Sequence, residues 1–371
     1  MINSLRGIFL EMNRLNDVDY MKLAIQAARH GQGCTYTNPM VGAVIVKDNQ
    51  ILATGYHKQF GANHAEIDTL NNLKSIDQAQ GATMYVTLEP CSHFGETPPC
   101  CRRIVGVGIH KVVIGQKDPN PVVHENGIRF LREHHVEVVM TSLSKDVRNI
   151  NQFYNFYFEN QRPFITLKYA STLDGKLNQI ENQRSIITGH EALKDANQIR
   201  QNYQAILIGE HTLKIDNPAL TVRNDTNIKY PPVRILLVNN ASSIVDSQIV
   251  NDKQAPVLIL CHENDCEIKN NNVEVVEGRW TPERITSFLN EKGIQSILVE
   301  GGSRVQSDFI QAGLVDRVIN YISPKLWGGQ SLPVAYSKMD KLVELNFRIE
   351  DVQQIESDLK ITADRQEVPH V

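Results

Sequence analysis

A histidine and a glutamate stand two positions apart in NHAEIDTL, beginning at Asn63, and three cysteines follow in TLEPCSHFGETPPCC, beginning at Thr87. Zinc favours imidazole nitrogen and thiolate sulfur in a tetrahedral shell, and a catalytic zinc keeps one position free of protein. His64, Cys91 and one of Cys100 or Cys101 would supply three ligands, and the residue count leaves both later cysteines open. Glu66 then stands beside the metal without binding it, where a carboxylate can take a proton from water and pass it to a departing amine. In the closed alternative, His93 or the remaining cysteine is a fourth ligand and the zinc is structural. Glu66 would then have no evident purpose. A cysteine opening the helix CRRIVGVG also has its thiolate favoured by the helix dipole.

These groups need elements to hold them. DVDYMKLAIQAARHG, from Asp17, carries apolar residues at helical spacing between an acidic start and a glycine stop. VGAVIVKDNQILATGYH reads as a hairpin across Lys-Asp-Asn-Gln. AEIDTLNNLKS is helical, with Ala65, Leu70 and Leu73 available to one face. His64 and Glu66 therefore fall at a helix start, where unpaired N–H groups converge. ATMYVTLEP is a strand ending in Pro90, just before Cys91. A helix from CCRRIVGVG, a buried strand KVVIG, the turn DPNP and a strand VEVVM complete a helix–strand alternation, which implies a sheet with helices on its faces.

Residues 144–162, polar and aromatic, read as a helical bridge, and Pro163 opens a new unit. Strands are predicted there at FITLKYA, QAILIGE, VRILLV, PVLILC, VEVVEG, SILVEGG and RVINYIS, with helical patterns such as PERITSFLNEKG between several of them. This is a second α/β domain of about 200 residues. GEHTLKIDNPALTVR gathers Thr212, Asp216, Asn217, Leu220 and Arg223 into one loop. SILVEGGSRVQSDFI reads as a strand, a Gly-Gly turn and a helix start, whose backbone N–H groups suit a phosphate. There is no G-x-G-x-x-G and no P-loop pattern.

At 371 residues the chain is long for one core, and its 41% hydrophobic and 22% charged residues describe a soluble globular protein. A net charge of −4 gives no global attraction to nucleic acid, so any anionic ligand must be held by local basic groups. No apolar run reaches the ~20 residues of a membrane span. The first sixteen residues lack a small-residue cleavage site and read as a non-signal leader, or as an upstream start before Met12. Six cysteines without a signal do not resemble a disulfide framework, so the expected compartment is the reducing cytoplasm. Cys34, Cys261 and Cys266 read as ordinary small side chains.

NPMVGAVIVKDNQILATGYHKQFGANHAE, TLEPCSHFGETPPCC and DPNP resemble the deaminase half of the bifunctional riboflavin-biosynthesis deaminase–reductase family. RPFITLKYASTLDGK, GEHTLKIDNPALTVR and SILVEGGSRVQSDFI resemble its reductase half, and the two matches follow the family's order. The resemblance implies an α/β protein with an N-terminal cytidine-deaminase-like three-layer α/β/α domain and a C-terminal dihydrofolate-reductase-like α/β domain. The expected boundaries are a leader at 1–16, a zinc-dependent deaminase domain at 17–148, a linker at 149–162 and an NADPH-dependent reductase domain at 163–371. The implied substrate is a small phosphoribosylamino-pyrimidine, with one zinc per chain, NADPH, no nucleic-acid or membrane partner, and a homo-oligomeric state.

By the same resemblance Cys100 is the third zinc ligand and Cys101 a packing residue, while Asn38, His57, Asp118 and Asn120 line the pyrimidine pocket. In the second half, Ala170, Thr212 and Asp216 contact NADPH, with the turn and helix start Gly302, Ser303, Arg304, Val305, Gln306, Ser307 and Asp308. Arg200, Leu220, Arg223 and Glu300 go to the phosphoribosyl substrate, where an arginine fork matches a phosphate. Lys168 and Asp216 are the candidates for proton management during hydride transfer. Three residues depart from the family's pattern: Arg184 and Ile186 stand where a small polar residue and an aromatic are expected, and Asn239 where an Asp is usual. Two other readings compete: a nucleoside or tRNA-base zinc deaminase with an unrelated C-terminal domain, and a zinc-stabilised nucleotide-binding regulator without catalysis.

Overall fold

The computed structural model describes residues 15–93, 98–180, 182–223, 228–329, 331–336 and 343–366. The leader expected at 1–16 lies outside them apart from Leu15 and Asn16. The chain forms two compact units, Met1–Asn160 and Gln161–Val371.

In the first unit, helix α1 (Asp17–Arg29) is followed by β1 (Gly42–Lys47), β2 (Gln50–Tyr56), α2 (Ala65–Asn71), β3 (Thr83–Leu88), α3 (Cys100–Gly106), β4 (Lys111–Gln116), α4 (Asn126–Glu133), β5 (Glu137–Met140), α5 (Ser144–Ile150) and α6 (Gln152–Asn160). The strands form one five-stranded sheet in the order β2-β1-β3-β4-β5. β1 pairs antiparallel with β2 and β3, whereas β3, β4 and β5 run parallel.

The hairpin turns at Asp48 and Asn49, with φ of 51° and 62°, the double left-handed geometry that matches strand twist. Asn16 and Asp19 form a reciprocal capping box at α1. Alternation along β1 separates two cores. Ala43 and Ile45 pack with Leu70 of α2, Ile104 of α3 and Leu131 of α4, while Val44 and Val46 pack with Met21 of α1 and Val147 of α5. A helical layer therefore covers each face, giving the expected three layers.

α2 lies almost in contact with the β2 backbone, because a Cβ on Gly55 would stand 2.5 Å from the Thr69 nitrogen. That close approach sets where His64, the cap of α2, enters the site. The stretch read as a bridge bonds into this unit. Asn151 exchanges two bonds with the Met40 backbone, and Asn155 pairs with Gln116 through its amide.

The second unit contains β6 (Phe164–Thr172), α7 (His190–Gln198), β7 (Ala205–Gly209), α8 (Glu210–Asp216), β8 (Val233–Asn240), α9 (Gln248–Asn251), β9 (Val257–Glu263), β10 (Val273–Glu277), α10 (Pro282–Glu291), β11 (Ser296–Val299), α11 (Ser303–Gln311), β12 (Arg317–Ser323), β13 (Phe347–Ile355) and β14 (Asp358–Arg365). Its strands join one nine-stranded sheet in the order β10-β9-β8-β7-β11-β6-β12-β14-β13. From β10 to β12 neighbours are parallel, and β14 and β13 close the sheet as an antiparallel hairpin. Ile165, Leu207, Leu258, Val299, Leu289 and Phe309 share one buried cluster.

Two elements differ from expectation. Glu210–Asp216, read as part of a loop, is helix α8, with Gly209 as its cap and its buried Leu213 turned into the unit. The hairpin β13–β14 was not foreseen, because β13 is exposed along nearly its whole length and lacks an apolar alternation.

Candidate functional site

Parallel strands place ligands beyond their carboxyl ends, and both units carry their chemistry there. In the first, β3 and β4 end side by side. Glu89–Cys91 leave one strand and Lys117–Asn120 leave the other. His64 Nδ1 lies 3.5 Å from Cys91 Sγ and 3.3 Å from Cys100 Sγ, and the three ligand atoms fall within 4.8 Å of one another. A tetrahedron with zinc–sulfur and zinc–nitrogen bonds of usual length has edges of about 3.6 Å, so this donor set fits zinc. The Cys100 N–H also donates to Cys91 Sγ at 3.3 Å. The bond from the Cys100 sulfhydryl and the neighbouring His64 hold the Cys91 thiol down to about 4, despite its burial.

Cys101, equally eligible by count, is buried in the hydrophobic core beside Ile104. Glu66, 3% exposed, lies within hydrogen-bonding reach of Cys100, and burial pushes its carboxyl up to about 7.

The expected pyrimidine pocket is brought together in part. His57 packs edge-on against His64, with ring centroids 5.8 Å apart. Its Nδ1 donates to the Asn63 carbonyl at 2.9 Å, leaving Nε2 to accept from the Asn38 amide at 3.2 Å. Burial lowers the His57 pKa, favouring this neutral form. Asp118 and Asn120 instead use their side chains within their own turn and, for Asp118, towards α6. Asp118 Oδ1 accepts from the Asn120 N–H and the Tyr154 hydroxyl, both at 2.9 Å, and Asn120 Oδ1 accepts from the Val122 N–H at 3.1 Å. Tyr154 comes from α6, within the expected linker.

The second unit opens a cavity of about 940 Å³. Of the sequence-predicted residues, Lys168, Ala170, Arg200, Thr212, Asp216, Leu220, Arg223, Glu300, Gly302 and Gln306 line it. Arg200 grips Glu300 through two bonds, at 2.7 and 2.9 Å, and Lys168 Nζ lies 3.6 Å from the same carboxylate. Burial opposes ionisation of Glu300, but the Arg200 charge and then Lys168 hold its carboxyl down to about 2. Burial pushes the Asp216 carboxyl up, against the nearby Arg184.

The predicted run Gly302–Asp308 does not face the cavity as a block, since a helix offers one face to a cavity. Ser303, Val305 and Ser307 are buried, Val305 in the core, and Arg304 and Asp308 are exposed on the outside. At this helix start the buried Ser303 Oγ and Gln306 Oε1 have no hydrogen-bond partner among the described residues. Two unsatisfied polar atoms beside an N-terminus suit the polar groups of a dinucleotide.

Sequence reading missed His190, Lys194 and Asn197, which also line the cavity. Their three- and four-residue spacing on α7, ending near Arg200, was the available signal. Beneath the loop, Arg234 of β8 is fully buried and forked onto Asp252 at 2.7 and 2.8 Å. It also donates to the Ala219 and Ala255 carbonyls at 3.0 and 2.6 Å, steadying a loop where Asn217 and Leu220 have φ of 38° and 52°.

Of the departures, Arg184 lines the cavity 3.9 Å from Asp216, and Ile186 is exposed. Asn239 donates twice to Glu210, where an aspartate would set two carboxylates together.

Residues 15–116 match the cytidine and deoxycytidylate deaminase zinc-binding region, and residues 163–361 match the RibD C-terminal domain. The riboflavin biosynthesis protein RibD of Aquifex aeolicus is 37% identical, over 94% of this chain and 99% of its own. That of Escherichia coli K12 is 32% identical, over 93% and 98%. Among solved structures, Acinetobacter baumannii RibD superposes with a TM-score of 0.87 at 31% identity, covering 95% of this chain and 99% of its own. A Thermotoga maritima diaminohydroxyphosphoribosylaminopyrimidine deaminase/5-amino-6-(5-phosphoribosylamino)uracil reductase gives 0.84 at 35%, covering 94% and 99%. With a deaminase-like first domain, a reductase-type second domain and near full-length likeness, the chain belongs to the RibD family of riboflavin biosynthesis proteins.

Proposed function

We propose that the chain carries out two consecutive steps on one phosphorylated pyrimidine. The first is hydrolytic deamination of 2,5-diamino-6-(5-phosphoribosylamino)pyrimidin-4-one. The second is NADPH-dependent reduction of the ribosyl group, giving 5-amino-6-(5-phosphoribitylamino)uracil. The observation that carries the reading is the convergence of His64, Cys91 and Cys100 with a buried Glu66 beside them, in a chain whose other unit holds a cation-lined cavity.

His64, Cys91 and Cys100 would hold the zinc, which supplies Lewis acidity that makes water nucleophilic at neutral pH. Glu66 takes the proton released as water adds to the amine-bearing ring carbon. It returns a proton to the nitrogen as the C–N bond breaks, so ammonia leaves and a carbonyl remains. Asn38 and His57 form a rigid polar pair beside His64 that orients the ring.

In the second unit, the helix start at Gly302, with Ser303 and Gln306, and residues Ala170 and Thr212 would hold the nicotinamide cofactor, which supplies the hydride. Arg200 and Arg223 hold the phosphoribosyl group, with Leu220 packing against it. Glu300 keeps Arg200 and Lys168 in place. Reduction at the amino-linked ribose carbon would break its bond to the ring oxygen, and that oxygen would need a proton. We assign that proton to Lys168 and Asp216, which both line the cavity. The same reading takes the protein as cytoplasmic and homo-oligomeric. The exposed edge strand β13, with Ile349 and Val352 more than half exposed, supports assembly. No helix among the described residues is long and apolar enough to cross a membrane.

An unrelated C-terminal domain, as a nucleoside or tRNA-base deaminase would require, is disfavoured by the match at 163–361. A coupled assay tests the reading, following ammonia release and loss of NADPH absorbance with and without a chelator. Chelation should abolish ammonia release. Supplied with deaminated intermediate, the chelated protein should still oxidise NADPH. Failure of either half removes that half of the proposal.

A further inference from the structure

Glu89 lies between the turn that carries Cys91 and the turn that carries Asp118, and the chemistry above gives it no part. It is 3% exposed and forms no ion pair among the described residues. Its two oxygens accept four backbone N–H groups instead. Oε1 accepts from Gly127 at 3.0 Å and Ile128 at 3.2 Å; Oε2 accepts from Glu125 at 3.0 Å and Asp118 at 3.3 Å. Three of these donors are the cap and first turn of α4, and the fourth opens the Asp118–Asn120 turn. A buried carboxylate is costly unless satisfied, and here backbone donors at a helix N-terminus satisfy it through charge-assisted bonds.

The rest of the contact is equally tight. The Glu89 N–H donates to the Gln116 carbonyl at 3.0 Å, tying the ends of β3 and β4 together. A Cβ on Gly127 would stand 1.9 Å from the Pro90 oxygen, so the start of α4 rests directly on the Glu89–Pro90–Cys91 turn. One side chain thus joins three segments: the one that continues to Cys91, the turn of Asp118, and α4.

We propose that Glu89 is a positioning residue for the deamination, fixing the Asp118–Asn120 turn of the pyrimidine pocket against the turn that carries Cys91. It acts through backbone amides and does not touch the reacting atoms. The proposal rests on the deaminase reading above and adds a residue to it. A glutamine at this position has the same size but one acceptor oxygen, and its NH₂ group would face two of the four donors. The pocket turn should then loosen while the three metal ligands stay.

The test uses the full-length chain with Glu89→Gln. Zinc content, deaminase KM and kcat, and reductase turnover on the deaminated intermediate are measured together. A rise in deaminase KM of about tenfold or more is expected. Zinc should stay at one per chain and reductase turnover should be unchanged. A lower melting temperature with normal KM would reduce Glu89 to a packing residue, and loss of zinc with normal KM would assign it to the metal turn. Either result overturns the proposal.

Should the variant not fold, amide hydrogen exchange in the unaltered chain decides. The amides of Asp118, Glu125, Gly127 and Ile128 should be slowed together by roughly 100-fold or more over unstructured rates. Free exchange at Asp118 overturns the proposal. Protection at all four in a chain that cannot deaminate the pyrimidine would sink the deaminase reading and the positioning role with it, leaving the contact itself in place.

Discussion

The two units solve opposite problems. The metal site needs three atoms held within 4.8 Å of one another and one acid beside them, and a stretch from His64 to Cys100 supplies everything. On the proposed reading the cavity of the second unit would seat a phosphorylated sugar and a dinucleotide, and it draws its lining from Lys168 to Gln306 across several strands. A small, strongly bound ion can be specified by a short motif. A large ligand bound by many modest contacts has to be specified by a fold. What the units share is the placement of chemistry at the carboxyl ends of parallel strands.

The contrast implies that single substitutions act sharply in the first unit and gradually in the second. Glu66→Gln should lower deaminase turnover by about 10²–10⁴-fold with zinc retained, read by ammonia release and metal analysis. Normal turnover in that variant would remove the acid–base role. In the same assay Cys100→Ser should lose stoichiometric zinc, while Cys101→Ser should keep it, since Cys101 packs in the core.

In the second unit, Arg200→Ala leaves Glu300 buried without its main partner and should cost about 3–5 kcal/mol, seen as an earlier unfolding transition of that unit. Acid should reveal the same pair. The Glu300 carboxyl sits at about 2 in the folded protein against an ordinary 4.5, so its stabilisation is fully present above about 4.5 and is lost as pH falls towards 2. About 3 kcal/mol rides on this group, and Glu300→Gln should flatten that part of the pH–stability curve. The smallest effect is expected for Tyr154→Phe, which removes one bond to Asp118. A loss of about 1 kcal/mol and a severalfold rise in deaminase KM, with unchanged kcat, would mark α6 as part of the pocket.

Legibility followed the same divide. His64, Glu66 and Cys91 stood out by type and spacing, but residue count could not separate Cys100 from Cys101. That choice depends on which sulfur the first turn of α3 aims at His64 and which it turns into the core. Strands with continuous apolar runs, such as VLILC and SILV, were readable because both faces are covered. β13 was not, since its residues are exposed nearly throughout. Lys168, Arg200 and Glu300 carry no short-range pattern, and only likeness to a family pointed to them. Glu89 and Tyr154 were silent for another reason: their partners are backbone amides and a turn carboxylate more than twenty-five residues away.

Arg234 carries a consequence for anyone surveying this chain by random substitution. It is sealed from solvent, yet through the Ala219 carbonyl it braces a loop whose Leu220 lines the cavity. Damage at Arg234 or Asp252 should therefore surface as weakened ligand affinity, and a screen scored on growth would flag both among the functional positions although neither lines the cavity.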